Sequence, residues 1–189
     1  MKNKFAICLL AVAALASSAA AAPITFTVSM LGAGTLNGVN FTATNVSFTF
    51  TSDTSAITTA GAGIFTTPLG IPGTFDIQGF ASGIVTEAGL HVFDNQNTSR
   101  GGFSAGSGDF INIPDAVFGA YDLQSNFTSP GDTPNFLDPT GYATDGGQLI
   151  VTSARNAVLS AVVTPEPGTF AFLGGGIALM VAGYRRRTR

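Results

Sequence analysis

The chain has very little of the chemistry that thiols and imidazoles provide. Its 189 residues include one cysteine, one histidine and no tryptophan. The cysteine, Cys8, lies in a segment that we expect to be removed during export. Disulfides, thiolate metal sites and a cysteine nucleophile are therefore excluded from the mature protein. A metal site built on several histidines is excluded as well, because His91 is the only histidine.

Positive charge is almost absent from residues 23–163. This segment contains no lysine, and its only arginines are Arg100 and Arg155. Ten acidic residues oppose them, which gives a net charge near −8: Asp53, Asp76, Glu87, Asp94, Asp109, Asp115, Asp122, Asp132, Asp138 and Asp145. Nucleic-acid binding depends on Lys and Arg that neutralise phosphates, so we expect no nucleic-acid partner. The same charge disfavours adhesion to anionic lipid.

Residues 1–22 have the three parts of a secretory signal peptide. Lys2 and Lys4 form the basic start, residues 5–15 form the apolar centre, and residues 16–22 are small. We expect signal peptidase to cleave at Ala22 or one or two residues earlier. The sequence therefore predicts an exported protein whose body begins near residue 23.

The last residues, 164–189, also have three parts in a fixed order. Pro165, Glu166 and Pro167 come first, an apolar run follows over residues 170–184, and the chain ends in Arg185, Arg186, Arg187, Thr188 and Arg189. As a helix, the apolar run would be roughly 22 Å long, against about 30 Å for a bilayer core. We therefore expect a short transmembrane helix. Its arginines would stay cytoplasmic, which leaves the body of the chain outside.

In this order and spacing, the tail closely resembles that of the PEP-CTERM family of exported bacterial proteins. The resemblance implies that exosortase, a membrane protease, reads Pro165, Glu166 and Pro167 as a sorting motif and removes the anchor. It also implies a Gram-negative host that makes an extracellular polysaccharide. The protein would be held briefly in the inner membrane, with its C-terminus in the cytoplasm, and would then reach the cell surface or the matrix. An ordinary membrane anchor with a chance Pro-Glu-Pro is the alternative.

The body, residues 23–163, has the pattern of an all-β domain. Ile24, Phe26 and Val28 alternate with threonine and serine, which is typical of a half-buried strand. In the next segment the apolar positions change parity, which predicts a β-bulge at Thr44–Asn45. Further strands are predicted over residues 57–65, 74–80, 83–93, 110–113, 117–123, 148–153 and 157–163. Turns are predicted over residues 68–73, 95–102 and 129–139. Many short strands between such turns predict an antiparallel β-sandwich that resembles a jelly roll.

Two groups of Asp and Asn residues are candidate calcium ligands, because calcium prefers oxygen donors. The first group is Asp94, Asn95 and Asn97, and the second is Asp132, Asn135 and Asp138. Neither group matches the EF-hand spacing, and Asp and Asn are also common turn residues. No cofactor is predicted firmly, although calcium stays a candidate.

Three functions are compatible with this sequence. No nucleophile elbow occurs, so no catalytic residue is predicted and the leading hypothesis is not an enzyme. That hypothesis is a structural or carbohydrate-binding component of the cell surface or the polysaccharide matrix. A secreted polysaccharide hydrolase is one alternative, because two carboxylates that are far apart in the sequence can become neighbours when the chain folds. A self-assembling surface adhesin that pairs through exposed strand edges is the other.

Overall fold

The computed structural model of the protein describes residues 21–105 and 108–165. Over these residues the chain is all-β, with no α-helix and with short 3-10 turns at Thr54–Ala56 and Ala116–Ala120. The strands are β1 (Pro23–Leu36), β2 (Val39–Asp53), β3 (Thr58–Gly61), β4 (Ile64–Thr66), β5 (Gly73–Ile77), β6 (Ala81–Val85), β7 (His91–Asn95), β8 (Arg100–Ala105), β9 (Gly108–Pro114), β10 (Phe127–Thr128), β11 (Phe136–Leu137), β12 (Tyr142–Thr144) and β13 (Gly147–Val163). They belong to one compact unit, Pro23–Val163.

The strands form two antiparallel sheets, which confirms the predicted all-β class. Sheet I has seven strands in the order β1-β2-β5-β6-β12-β13-β10, and β13 also pairs with β1, so the order returns to its first strand. Sheet II has six strands in the order β11-β9-β8-β7-β4-β3. No helix long and apolar enough to cross a bilayer is found in the described part of the chain. The span predicted over residues 170–184 lies outside that part.

Strand β1 confirms the alternation seen in the sequence, since Ile24, Phe26 and Val28 are all fully buried. The change of parity in β2 is also real. Gly32 and Gly34 of β1 pair with Thr44 and Phe41, so β2 carries one extra residue between these pairs. Ala43 takes up the bulge with a φ of 48°. The bulge therefore lies at Thr42–Ala43, slightly earlier than predicted.

An aromatic cluster joins the two sheets. The ring of Phe103 in sheet II lies 4.8 Å from those of Phe48 and Phe50 in sheet I, measured between centroids. Tyr142 of sheet I lies 4.5 Å from Phe110 of sheet II, and its hydroxyl donates to the Phe110 carbonyl at 3.2 Å. All five side chains belong to one buried core.

The body differs from the sequence-based prediction in several places. The strand predicted over residues 83–93 is wrong, because this stretch contains parts of β6 and β7, which belong to different sheets. The strand predicted over residues 57–65 is divided between β3 and β4. The predicted strand over residues 117–123 is wrong, because Ala116–Ala120 forms a 3-10 turn. The Asp115 carboxylate caps this turn by accepting from the Val117 N–H at 3.0 Å. The two strands predicted at 148–153 and 157–163 are one strand, β13. Strand β8 lies partly where a turn was expected, over residues 95–102.

Candidate functional site

A polar pocket of about 360 Å³ lies where strands β8 and β9 meet the segment that leads into β11. Its walls come from Arg100, Asp109, Asn112 and Asn135, and we refer to it as the Arg100 pocket. The volume is at the lower end of the range for small-molecule sites, about 300–1,000 Å³. All four lining side chains carry groups that donate or accept hydrogen bonds.

The pairing of the strands brings these residues together. Asn112 of β9 lies opposite Gly102 of β8 on one side and Phe136 of β11 on the other. The backbone N–H of Asn135 donates to the carbonyl of Asn112 at 2.9 Å, which holds the loop against β9. Successive side chains of a strand point to opposite faces, so Asn112 faces away from the side of its buried neighbour Ile111.

Two hydrogen bonds fix the carboxylate of Asp109. One oxygen accepts from the Ser104 hydroxyl at 2.8 Å, and the other accepts from the Asn112 side-chain amide at 3.0 Å. This arrangement orients the Asn112 amide, which is only 5% exposed. Its Oδ1 is buried and has no hydrogen-bond donor among the described residues. A buried acceptor left unpaired costs about 1–3 kcal/mol.

Arg100 supplies the positive charge of the pocket. It is exposed at the first position of β8 and pairs through its backbone with Asn95 and Pro114. Within residues 21–105 and 108–165, no carboxylate forms an ion pair with its guanidinium. Its five N–H donors are therefore free to contact a ligand in the pocket.

Asp94, the fourth of the five residues of β7, is a second unusual group. The residue is fully buried, and neither carboxylate oxygen has a hydrogen-bond partner in the described part of the chain. Burial, with a further contribution from the charge of Asp122, raises the pKa of Asp94 from its ordinary 3.8 to about 7. This carboxyl is therefore neutral in mildly acidic solution, and a ligand in solvent cannot touch it.

The first group of candidate calcium ligands is not assembled around one point. Asp94 is buried, whereas the Asn95 Oδ1 accepts from the Thr98 N–H at 3.3 Å and so closes a turn. The Asn97 amide donates to the carbonyl of Ala62 at 2.6 Å. Each of the three side chains thus serves a different local contact.

The second group divides in the same way. The Asp132 carboxylate accepts from the neighbouring Thr133 N–H at 2.6 Å. The Asp138 carboxylate accepts from the Thr140 N–H at 2.7 Å and so closes a turn. Asn135 alone lines the Arg100 pocket. No group of three or more His, Cys, Asp or Glu suited to a metal is found among the residues that the structure describes. Calcium binding stays a prediction.

A second depression, of about 390 Å³, lies on sheet I where β2 and β13 each carry extra residues in their pairing with β1. Its lining residues are Leu31, Gly32, Ala33, Thr42, Ala43, Ser153, Ala154 and Arg155. Arg155 is exposed there, as Arg100 is in its own pocket. The lining otherwise consists of small, apolar and hydroxyl residues without a carboxylate or a side-chain amide, so this depression offers fewer directed contacts.

Most of the sorting motif lies beyond the described residues. Pro165 is the last residue described, and Glu166, Pro167, Arg185, Arg186, Arg187 and Arg189 all lie outside. The role of these residues stays a prediction from the sequence.

No protein-family model, no curated protein and no solved structure matches this chain.

Sequence reasoning missed three of the four pocket residues: Arg100, Asp109 and Asn112. The one signal in the sequence was the rarity of arginine, since Arg100 is one of only two positive charges in residues 23–163.

Proposed function

We propose that this chain is an exported, exosortase-processed protein of the cell surface or the extracellular polysaccharide matrix, and that it binds carbohydrate in the Arg100 pocket. The observation that carries the proposal is a pocket lined by a guanidinium, a carboxylate and two amides. Sugar hydroxyls both donate and accept hydrogen bonds, and these side chains offer both functions. The tail supports the proposed route to the matrix through its resemblance to PEP-CTERM sorting signals.

Preorganisation supports binding as the role of this pocket. Ser104 and Asn112 hold the Asp109 carboxylate in place before any ligand arrives. A polar group that is already ordered loses little conformational entropy on binding. The two sheets would provide the rigid support, and we propose that they form a jelly-roll-like antiparallel sandwich. The contacts of Phe103 with Phe48 and Phe50 support that arrangement.

Binding explains the site better than hydrolysis. Glycoside hydrolysis commonly uses two carboxyl groups about 5–9.5 Å apart across the scissile bond. The Arg100 pocket has one carboxylate, that of Asp109. Asp94 has a pKa suited to a general acid, but it is fully buried and so does not meet a substrate.

Self-assembly is the second candidate, because β3 forms one edge of sheet II and three of its four residues are exposed. An exposed edge can pair with a strand of another copy. Light scattering of the purified protein over a range of concentrations, with and without calcium, separates the two. Growth of particles with concentration would support assembly, and a monomer at every concentration would rule it out.

Binding can be tested by co-sedimenting the full chain, purified in mild detergent, with the exopolysaccharide of its host. We expect saturable binding that falls at least tenfold in Asp109→Asn, since a tenfold loss needs only about 1.4 kcal/mol. Asp76→Asn is the matched control, because it removes the same charge from an exposed position on β5. Repeating the assay in calcium and in EDTA tests the calcium prediction. Equal binding by both variants would contradict the assignment of the pocket.

The sorting proposal predicts that removal of residues 165–189 abolishes normal processing. A chain without these residues lacks the Pro-Glu-Pro motif, the apolar run and the basic end. We expect it to miss the processing step and its normal location, which immunoblotting of cell, membrane and medium fractions would show. A truncated chain of the same mature size in the same fraction as the wild type would overturn the proposal.

A further inference from the structure

We propose that the Arg100 pocket selects a sugar residue that carries a carboxylate, such as a hexuronic acid. This inference rests on the proposed function and adds the chemical class of the ligand. It starts from an unbalanced charge, because the guanidinium of Arg100 has no ion-pair partner within the described residues although it shares a pocket with Asp109.

The two charges of the pocket are engaged differently. Asp109 has a hydrogen-bond donor on each of its oxygens, from Ser104 and from Asn112. Arg100 donates to no group in the described part of the chain, so its positive charge is the one that a ligand can satisfy. The planar guanidinium forms paired hydrogen bonds with a carboxylate, and these are among the stronger polar contacts in proteins.

The same geometry predicts how the sugar would lie. Its carboxylate would be at the Arg100 end of the pocket, away from the negative charge of Asp109. Its hydroxyl groups would lie toward Asp109, where the carboxylate oxygens accept hydrogen bonds, and toward the Asn135 amide, which both donates and accepts. A neutral sugar would fill the hydroxyl positions alone and would leave the guanidinium without an anionic partner.

The net negative charge of residues 23–163 opposes the binding of an acidic sugar. With a net charge near −8, residues 23–163 repel an anionic glycan at long range. A preference for an acidic sugar must therefore come from a local contact. Arg100 and Arg155 are the only lysine or arginine residues in this segment.

The experiment compares a galacturonic acid oligomer with the same oligomer after its carboxyl groups have been reduced to alcohols. Binding is measured by titration calorimetry on residues 23–163, the compact unit that lacks the basic residues of both chain ends, for the wild type, Arg100→Gln and Arg155→Gln. Each variant makes the net charge more negative by one unit, so the long-range repulsion is matched and only the local contact differs. Circular dichroism shows whether both variants keep the fold.

We expect the wild type to bind the acidic oligomer at least tenfold more tightly than the neutral one. Arg100→Gln should lose this preference, whereas Arg155→Gln should keep it within about twofold. The inference is overturned if the wild type binds both oligomers equally or binds neither. It is also overturned if Arg100→Gln and Arg155→Gln change the preference for the acidic oligomer to the same extent. Binding of the host polysaccharide, and its loss in Asp109→Asn, decides the proposed function separately from these outcomes.

Discussion

Replacement of Asp94 by asparagine is expected to raise the free energy of unfolding at pH 8 by about 1–3 kcal/mol. In the folded protein Asp94 is fully buried, and no donor in the described part of the chain contacts either oxygen. At pH 8 the protein therefore buries an uncompensated negative charge, which is costly. Asparagine has nearly the same shape and carries no charge, so the substitution removes the cost of the charge. Its own unpaired amide costs about 1–3 kcal/mol, which offsets only part of that gain.

The raised pKa of Asp94 also fixes the sign of the pH dependence. Its pKa is about 7 in the folded protein and 3.8 for an ordinary aspartate, so between these values the folded state holds a proton that the unfolded state has released. The contribution of Asp94 to the free energy of unfolding must then fall as the pH rises from about 4 to about 7. The upper limit of this loss is about 4 kcal/mol, at about 1.4 kcal/mol for each unit of pKa shift.

Urea unfolding of the wild type and Asp94→Asn from pH 4 to pH 8 measures both effects. Residues 23–163 are suitable material, because the compact unit Pro23–Val163 contains the thirteen described strands and the buried core. Asp122→Asn is the graded control. Since the charge of Asp122 contributes to the raised pKa of Asp94, this variant should lose only part of the pH dependence. If the stability difference between the wild type and Asp94→Asn stayed constant from pH 4 to pH 7, the raised pKa of Asp94 would be contradicted.

Phe103→Ala is expected to destabilise the domain by about 3–5 kcal/mol, which is the usual cost of removing a large aromatic side chain from a core. Phe103 is fully buried, and its ring contacts two rings of sheet I at 4.8 Å. It also contacts Phe110 at 5.9 Å and Tyr142 at 5.8 Å. The total stability of such a domain is about 5–15 kcal/mol, so this one change removes a large fraction of it.

Phe80→Ala is the matched control for this prediction. Phe80 is 41% exposed, and its ring meets one other ring, that of Phe41, at 5.7 Å among the described residues. We expect a loss below about 1.5 kcal/mol, because much of its area already faces water. Thermal and urea unfolding of both variants measure the difference. Losses of equal size would show that Phe103 does not join the sheets as described.

Local alternation in the sequence predicted the long strands well. Ile24, Phe26 and Val28 needed only the two-residue period of a half-buried strand, and the change of parity in β2 revealed a bulge. The predicted position of the bulge was wrong, because the backbone conformation and not the side-chain pattern determines where the extra residue lies. Ala43 adopts a positive φ there, which nothing in its residue type suggests.

Strand β8 was harder to predict because the local sequence Arg100, Gly101 and Gly102 is typical of a turn. The structure explains both glycines through contacts that come from distant parts of the chain. A side chain at Gly101 would collide with the ring of Phe118, and one at Gly102 would collide with the Ile111 carbonyl. Close approach, and not a turn, requires glycine here.

The residues of the Arg100 pocket were even harder to predict from the sequence. Asp109 meets Ser104 because β8 and β9 pair with a register shift between Phe103 and Ser104, and that shift cannot be read from composition. The sequence singled out Asp and Asn residues that close turns, because turn formation and ligand binding use the same residue types. Only strand pairing distinguishes Asn135 from Asp132 and Asp138.

The most direct test of the central claim is to map where the glycan binds. Amide chemical shifts of residues 23–163 would be recorded by NMR while oligosaccharides from the host exopolysaccharide are added. We expect the largest changes in chemical shift at Arg100, Asn112 and Asn135, and we expect these changes to saturate as oligosaccharide is added. Saturating shifts centred on Ser153 and Arg155, or no shifts at all, would contradict the central claim.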